Sequence, residues 1–134
     1  MANFVMDSYA LLAFFRNEPG GEKVEQLLNE AAADKHLLFM TCVNAGEVFY
    51  MSSRKDGAAK AETVWKALLQ FPIHITDADL EFSLAAAKIK AKHSLSYADA
   101  FAAALTIKRK ATLITGDAEF NLLLKEPNFK VKYL

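Results

Sequence analysis

At 134 residues, with 53% hydrophobic and 24% charged side chains, the chain has the make-up of one globular domain rather than a disordered segment. Its formal net charge is zero, which excludes a general attraction to nucleic acid and leaves such binding to local basic patches or bound cations. The single cysteine, Cys42, excludes an internal disulfide, no apolar run spans a bilayer, and Met1–Asp7 lacks the basic start of a signal peptide, so a cytoplasmic protein is expected.

In chain order, Asn3–Met6 is a short apolar run that reads as a buried strand. Helices are expected over Ser8–Arg16 and Gly21–Ala33, the second with Val24, Leu27, Leu28 and Ala31 at helical spacing. The Pro19-Gly20-Gly21 stretch between them reads as a turn. Leu37–Thr41 is a second strand, followed by helices over Asn44–Arg54 and Ala58–Gln70. The latter carries Val64, Trp65, Leu68 and Leu69, and Pro72 ends it. Ile73–Ile75 is a third strand. Asp77–Lys92 is a helix with Leu80, Leu84, Ala87 and Ile89 as apolar positions, and Ser96–Lys110 is another. Thr112–Thr115 is a strand, Asp117–Leu124 a short helix or turn, and Lys130–Leu134 a last strand. Strands separated by helices imply parallel crossovers, hence one α/β domain over residues 1–134 with helices on both faces of a sheet. Ligands of such sheets collect at the carboxyl ends of the strands.

Most of the sixteen acids lie on polar helix faces or in loops, as solvated charges do. Four do not. Asp7 ends the run Phe4-Val5-Met6, Glu47 lies within Val43–Met51, Asp99 within Tyr97–Leu105, and Asp117 follows Thr112-Leu113-Ile114-Thr115-Gly116. An acid inside an apolar element needs a partner. No Lys or Arg lies within four residues of Asp7, Glu47 or Asp99, so a shared metal cation is an economical partner for them. Oxygen ligands favour Mg²⁺ or Mn²⁺, and the scattered His36, His74, His93 and Cys42 have no zinc spacing. Carboxylate-held divalent ions suit in-line attack on a phosphodiester.

Each of these residues also has a structural alternative. Asp7 can cap a helix starting at Ser8, Ser96-x-x-Asp99 resembles a capping box, and Asp117 can serve as a turn residue after Gly116. Glu47 is the hardest to explain so, because its helix is apolar on nearly every side. Asn44, one turn before Glu47, is either an N-cap or an orienting partner for it. Ser8 and Thr115 place hydroxyls beside acids. Lys88, Lys90 and Lys92 read as a solvated face, and Arg54 and Lys55, at the end of the Glu47 helix, as candidates to meet phosphate.

The segments Val5-Met6-Asp7-Ser8, Val43–Val48, Ser96–Phe101 and Leu113–Phe120, in that order along nearly the whole chain, resemble those of PIN domains, and more narrowly those of VapC-like toxins of toxin–antitoxin pairs. The resemblance implies a three-layer α/β/α fold with a parallel sheet of about five strands. It further implies Mg²⁺- or Mn²⁺-dependent endoribonuclease activity, homodimers, and an antitoxin partner that occludes the acidic cleft. Asp7, Glu47, Asp99 and Asp117 match the family's acidic, metal-binding catalytic quartet; Asn44, Ser8 and Thr115 match its supporting polar positions; Glu119 is an extra acid without an assigned role. On this reading Asp7, Asp99 and Asp117 hold one or two ions, Glu47 binds metal or positions the attacking water, and cleavage leaves 5′-phosphate and 3′-hydroxyl ends. Two alternatives stand beside it. A haloacid-dehalogenase-like phosphatase wants a second acid two residues after its nucleophilic Asp, where this chain has Tyr9. A PIN-like RNA-binding module without catalysis has no need of an intact quartet.

Overall fold

The computed structural model describes residues 1–134. Its strands are β1 (Ala2–Met6), β2 (His36–Thr41), β3 (Ile73–Thr76), β4 (Thr112–Thr115) and β5 (Val131–Tyr133). Its helices are α1 (Ser8–Phe15), α2 (Gly21–Ala32), α3 (Cys42–Asp56), α4 (Ala58–Gln70), α5 (Leu80–Lys92) and α6 (Tyr97–Lys108), with a 3₁₀ helix at Ala118–Leu123. The strands form one sheet in the order β3-β2-β1-β4-β5, every pairing parallel. This is the three-layer α/β/α architecture expected from the alternating pattern.

Side chains alternate along a strand, so a sheet covered on both sides feeds two cores. Met6, Leu38, Met40 and Ile114 enter one, with Leu11 of α1, Val24 and Leu27 of α2, Val48 of α3 and Leu68 of α4. Val5, Phe39 and Leu113 enter the other, with Phe82 of α5, Phe101 and Leu105 of α6, and Phe120. The middle of α6, Ala100–Thr106, is buried on all sides. Its run of alanines lets the helix lie close to its neighbours, and the Thr106 hydroxyl donates to the Ala102 carbonyl at 2.8 Å, so no polar atom is stranded there. The turn expected at Gly20-Gly21 is present. Gly20 has φ +93°, in the left-handed region, and a Cβ on Gly21 would stand 2.7 Å from the Ala13 carbonyl oxygen.

Two sequence expectations need correction. The α3 helix starts at Cys42, and its N-cap is Thr41, whose hydroxyl accepts the Asn44 amide at 2.9 Å; Asn44 is therefore inside the helix and free for another task. The α5 helix starts at Leu80, because Asp79 caps it by accepting the Phe82 amide at 2.8 Å. Its buried stripe is Phe82 and Ala86, with Ile89 packed alongside, while Leu80 and Leu84 are 87% and 56% exposed. The short Leu69 of α4 likewise faces outward. No helix is long and apolar enough to cross a membrane.

Candidate active site

The strand order places β1 beside β4, although the chain visits β2 and β3 between them. Successive crossovers thus run to opposite sides of the β1–β4 pair, and a cleft opens beyond the carboxyl ends at such a reversal. Asp7 directly follows β1, and Asp117 follows β4 across Gly116. Glu47 comes from the second turn of α3, which follows β2, and Asp99 from the first turn of α6. All four line one cleft of about 500 Å³, together with Ser8, Tyr9, Leu12, Arg16, Glu18, Pro19, Met51 and Ser96.

Asp7 is 2% exposed, yet both its oxygens are engaged. Oδ1 accepts the Ala10 amide at 2.9 Å and so caps α1, and Oδ2 accepts the Thr115 hydroxyl at 2.5 Å. Capping and a place in the cleft are therefore compatible for this residue. The fully buried Thr115 hydroxyl also accepts the Asp117 amide at 3.0 Å, tying the ends of β1 and β4 together. Asp117 Oδ1 in turn accepts the Glu119 amide at 2.9 Å and caps the 3₁₀ helix. Asn44, fully buried, does the same work on the other wall. Its Oδ1 accepts the Thr41 hydroxyl at 2.6 Å, and its Nδ2 donates to Glu47 Oε1 at 3.0 Å and to the Ala98 carbonyl at 3.2 Å. One amide thereby fixes Glu47 and joins α3 to the start of α6, where the Ser96 hydroxyl caps the helix by accepting the Asp99 amide at 3.1 Å. Ser8 is half-buried in the cleft wall.

Burial pushes the Asp7 carboxyl up to about 7; the Thr115 and Ala10 hydrogen bonds pull it down, and the charges of Asp99 and Asp117 push it up again. Burial also pushes Asp99 up to about 6, opposed by the Ser96 hydroxyl and assisted by Asp117, Glu47 and Glu119. No lysine, arginine or histidine pairs with any of these acids, since the one ion pair of the molecule joins His93 to Glu126. Carboxylates gathered without an ion-pair partner, all offering hard oxygen donors, fit a divalent cation. The tightest grouping is Asp99, Asp117 and Glu119, whose carboxylate oxygens lie within 4.8 Å of one another. Asp7 and Glu47 stand outside that group but on the same cleft.

Glu119, to which the sequence assigned no role, is thus brought to the acids by the 3₁₀ turn. Tyr9 and Arg16 were missed. Tyr9 leans over the β4 end so closely that a Cβ on Gly116 would stand 2.1 Å from its ring, so any larger residue before Asp117 would have to push the exposed Tyr9 ring aside. Arg16 is the only basic residue on the cleft wall. Neither carries a sequence signal, because both depend on how α1 docks. Arg54 and Lys55 are not in the cleft; they line an adjacent groove with Arg16, Glu47, Tyr50 and Met51.

Comparison with known proteins agrees with this fold. No curated protein sequence matches the chain. Among solved structures, VapBC2 from Rickettsia felis, bound to a DNA fragment from its promoter, superposes with a TM-score of 0.74 at 14% identity, covering 98% of each chain. VapC20 from Mycobacterium tuberculosis, a Sarcin-Ricin loop cleaving toxin, gives 0.70 at 17% identity, over 90% of this chain and 93% of that one. VapBC-5 from the same organism, of the VapBC family of toxin–antitoxin systems, gives 0.66 at 16% identity over the whole of both chains. These likenesses show a shared fold. The PIN domain profile matches residues 4–123, from β1 through the 3₁₀ helix and all four cleft acids, and the chain belongs to the PIN domain family.

Proposed function

We propose that the protein is a Mg²⁺- or Mn²⁺-dependent endoribonuclease, the toxin of a toxin–antitoxin pair. The observation that carries this reading is the set of four carboxylates on one cleft at the β1–β4 reversal, without a cationic side chain to pair them. Membership of the PIN family and the toxin–antitoxin systems among its fold neighbours support it. An antitoxin that occludes the acidic cleft and a homodimeric assembly belong to the same proposal.

Asp7, Asp99 and Asp117 would hold the cation, with Glu119 near enough to Asp99 and Asp117 to share in it. Bound there, a divalent ion supplies Lewis acidity, lowering the pKa of water and offsetting charge on the scissile phosphate. The chain's own residues do the positioning. Thr115 and the Ala10 amide hold the Asp7 carboxylate in one orientation. Asn44 holds Glu47 by one oxygen at the cleft wall and leaves the other without a hydrogen-bond partner, able to orient the attacking water or take its proton. Attack by water, rather than by the neighbouring 2′-hydroxyl, leaves 5′-phosphate and 3′-hydroxyl ends.

The test is cleavage of RNA by purified protein. Activity should require Mg²⁺ or Mn²⁺, vanish in EDTA, and fall at least about a hundredfold in Asp7→Asn and Asp99→Asn, each of which removes a charged ligand. Cyclic 2′,3′-phosphate products, or undiminished cleavage in EDTA, would sink the proposal.

A further inference from the structure

Arg16 stands between two concavities. On one side it walls the acidic cleft with Glu47 and Met51; on the other, the same three residues join Tyr50, Arg54 and Lys55 around an open groove of about 540 Å³. The groove therefore continues the cleft outward along α3. Glu47, Tyr50 or Met51, and Arg54 or Lys55 follow at three- and four-residue spacing, so one helix face runs from the acids to the cations.

The sign of charge changes along that path. Arg16, Arg54 and Lys55 contribute three cations, and none has an ion-pair partner. Arg16 is the least exposed of them. Its Nε is buried with no hydrogen-bond partner, and its guanidinium makes only a long contact, 3.4 Å, to the Met51 carbonyl. Most of the donors of this guanidinium are therefore left for an acceptor that arrives from outside. Tyr50 is 44% exposed, and the Arg54 guanidinium lies over its ring, 5.1 Å from the centroid. A ring and a guanidinium exposed together form a stacking platform for an unpaired base.

We propose that this groove is the subsite for the nucleotides flanking the scissile bond of a single-stranded RNA. Arg16 binds the phosphate next to the one being cleaved, Arg54 and Lys55 bind phosphates farther along, and the Tyr50–Arg54 pair stacks on a splayed base. The proposal rests on the nuclease reading of the cleft. A duplex would fit poorly, because its bases are already stacked and unavailable to Tyr50.

The experiment uses a fluorescent single-stranded RNA of about twelve nucleotides and, separately, bis(p-nitrophenyl) phosphate, which is small enough to occupy the cleft alone. Anisotropy in Ca²⁺, with the RNA checked for integrity on a gel, reports binding without turnover. The exposed variants Tyr50→Ala and the double Arg54→Ala, Lys55→Ala should each weaken RNA binding about tenfold, and the double variant should flatten the log–log salt dependence by about 1.4, as expected for two lost phosphate contacts on a single strand. In cleavage assays with Mn²⁺ they should raise KM for RNA with kcat changed less than about twofold, and leave hydrolysis of the small diester unchanged. Arg16→Gln should weaken RNA binding without changing the melting temperature by more than a few degrees. RNA affinity equal to wild type in the exposed variants overturns the subsite. If these variants instead lose affinity only for an acidic peptide, the groove belongs to a protein partner and the proposal is equally overturned. Wild-type protein inactive on both substrates with Mn²⁺ counts against the nuclease reading itself, while the anisotropy result still decides the groove.

Discussion

Thr115 donates to Asp7 and accepts from the Asp117 amide, so a single hydroxyl sets the separation of two acids that belong to different strands. Thr115→Val keeps the shape and removes both bonds. Asp7 then loses a donor that favours its charged form, and the Asp117 amide is left without an acceptor. The expected cost is about 1–3 kcal/mol of stability at neutral pH and at least about a tenfold loss of kcat/KM, with Thr115→Ser close to wild type in both. Denaturant melts and RNA-cleavage kinetics on the two variants check this; equal behaviour of Val and Ser would reduce Thr115 to a space-filling residue. Asn44 makes the parallel case on the opposite wall. Asn44→Ala removes the acceptor for the Thr41 hydroxyl hydrogen and a donor to the Ala98 carbonyl and releases Glu47, so activity should drop about ten- to a hundredfold with an accompanying loss of stability. A variant as stable and active as wild type would show that Glu47 needs no such support.

At the level of elements, the sequence revealed the parts whose burial is written in their own periodicity. The apolar runs of β1, β2 and β4 and the stripe of α2 are such parts, and each lies where it was expected within one or two residues. The acids stood out for the same reason: a carboxylate inside an apolar stretch is visible without any fold. What was not legible depends on docking. The start of α5 at Leu80 is hidden because nothing in the sequence marks Asp79, among the nearby acids, as its cap. The partly apolar repeat Leu80–Leu84 then competes with Phe82–Ala86, and only contact with α6 and the sheet decides between them. Phe82→Ala should therefore cost about 3–5 kcal/mol, whereas Leu80→Gln and Leu84→Gln should change stability by no more than about 0.5 kcal/mol, measured by urea unfolding of dilute protein. Glu119 is visible in the sequence as an extra acid without a role, whereas Arg16 and Tyr9 are invisible for a related reason. Their neighbours across the cleft come from elements far along the chain, and no spacing rule connects Arg16 to Glu47 or Tyr9 to Gly116.

For the whole molecule, the cleft links folding to protons and to cations, in opposite directions. Asp7 is raised to about 7 and Asp99 to about 6, both from 3.8, chiefly by burial. Between pH 4 and pH 7 the folded, metal-free chain therefore keeps protons that the unfolded chain has released. Stability falls with rising pH wherever the folded state holds more protons, so the penalty is absent below about pH 4, grows through the two raised values, and is complete only about one unit above the Asp7 value. In EDTA, the melting temperature at pH 5.5 should exceed that at pH 7.5 by several degrees. Divalent cations require the deprotonated carboxylates, so saturating Mn²⁺ should stabilise the protein strongly at pH 7.5 and weakly at pH 5.5. The pH preference should thus shrink or invert when metal is added. Asp7→Asn separates this effect from the histidines and from every other acid. Asn keeps the oxygen that caps α1 but cannot ionise, and it removes one charge that Asp99 and Asp117 would otherwise repel. In EDTA at pH 7.5 the variant should melt at or above wild type, its pH dependence between 5.5 and 7.5 should shrink to the smaller part that Asp99 contributes, and most of its Mn²⁺ response should be gone. Thermal melts of the two proteins at both pH values, with EDTA and with Mn²⁺, decide the matter. A variant that melts well below wild type in EDTA at pH 7.5 would mean that the Asp7 charge stabilises the fold, and the cleft would then be built for structure rather than for a cation.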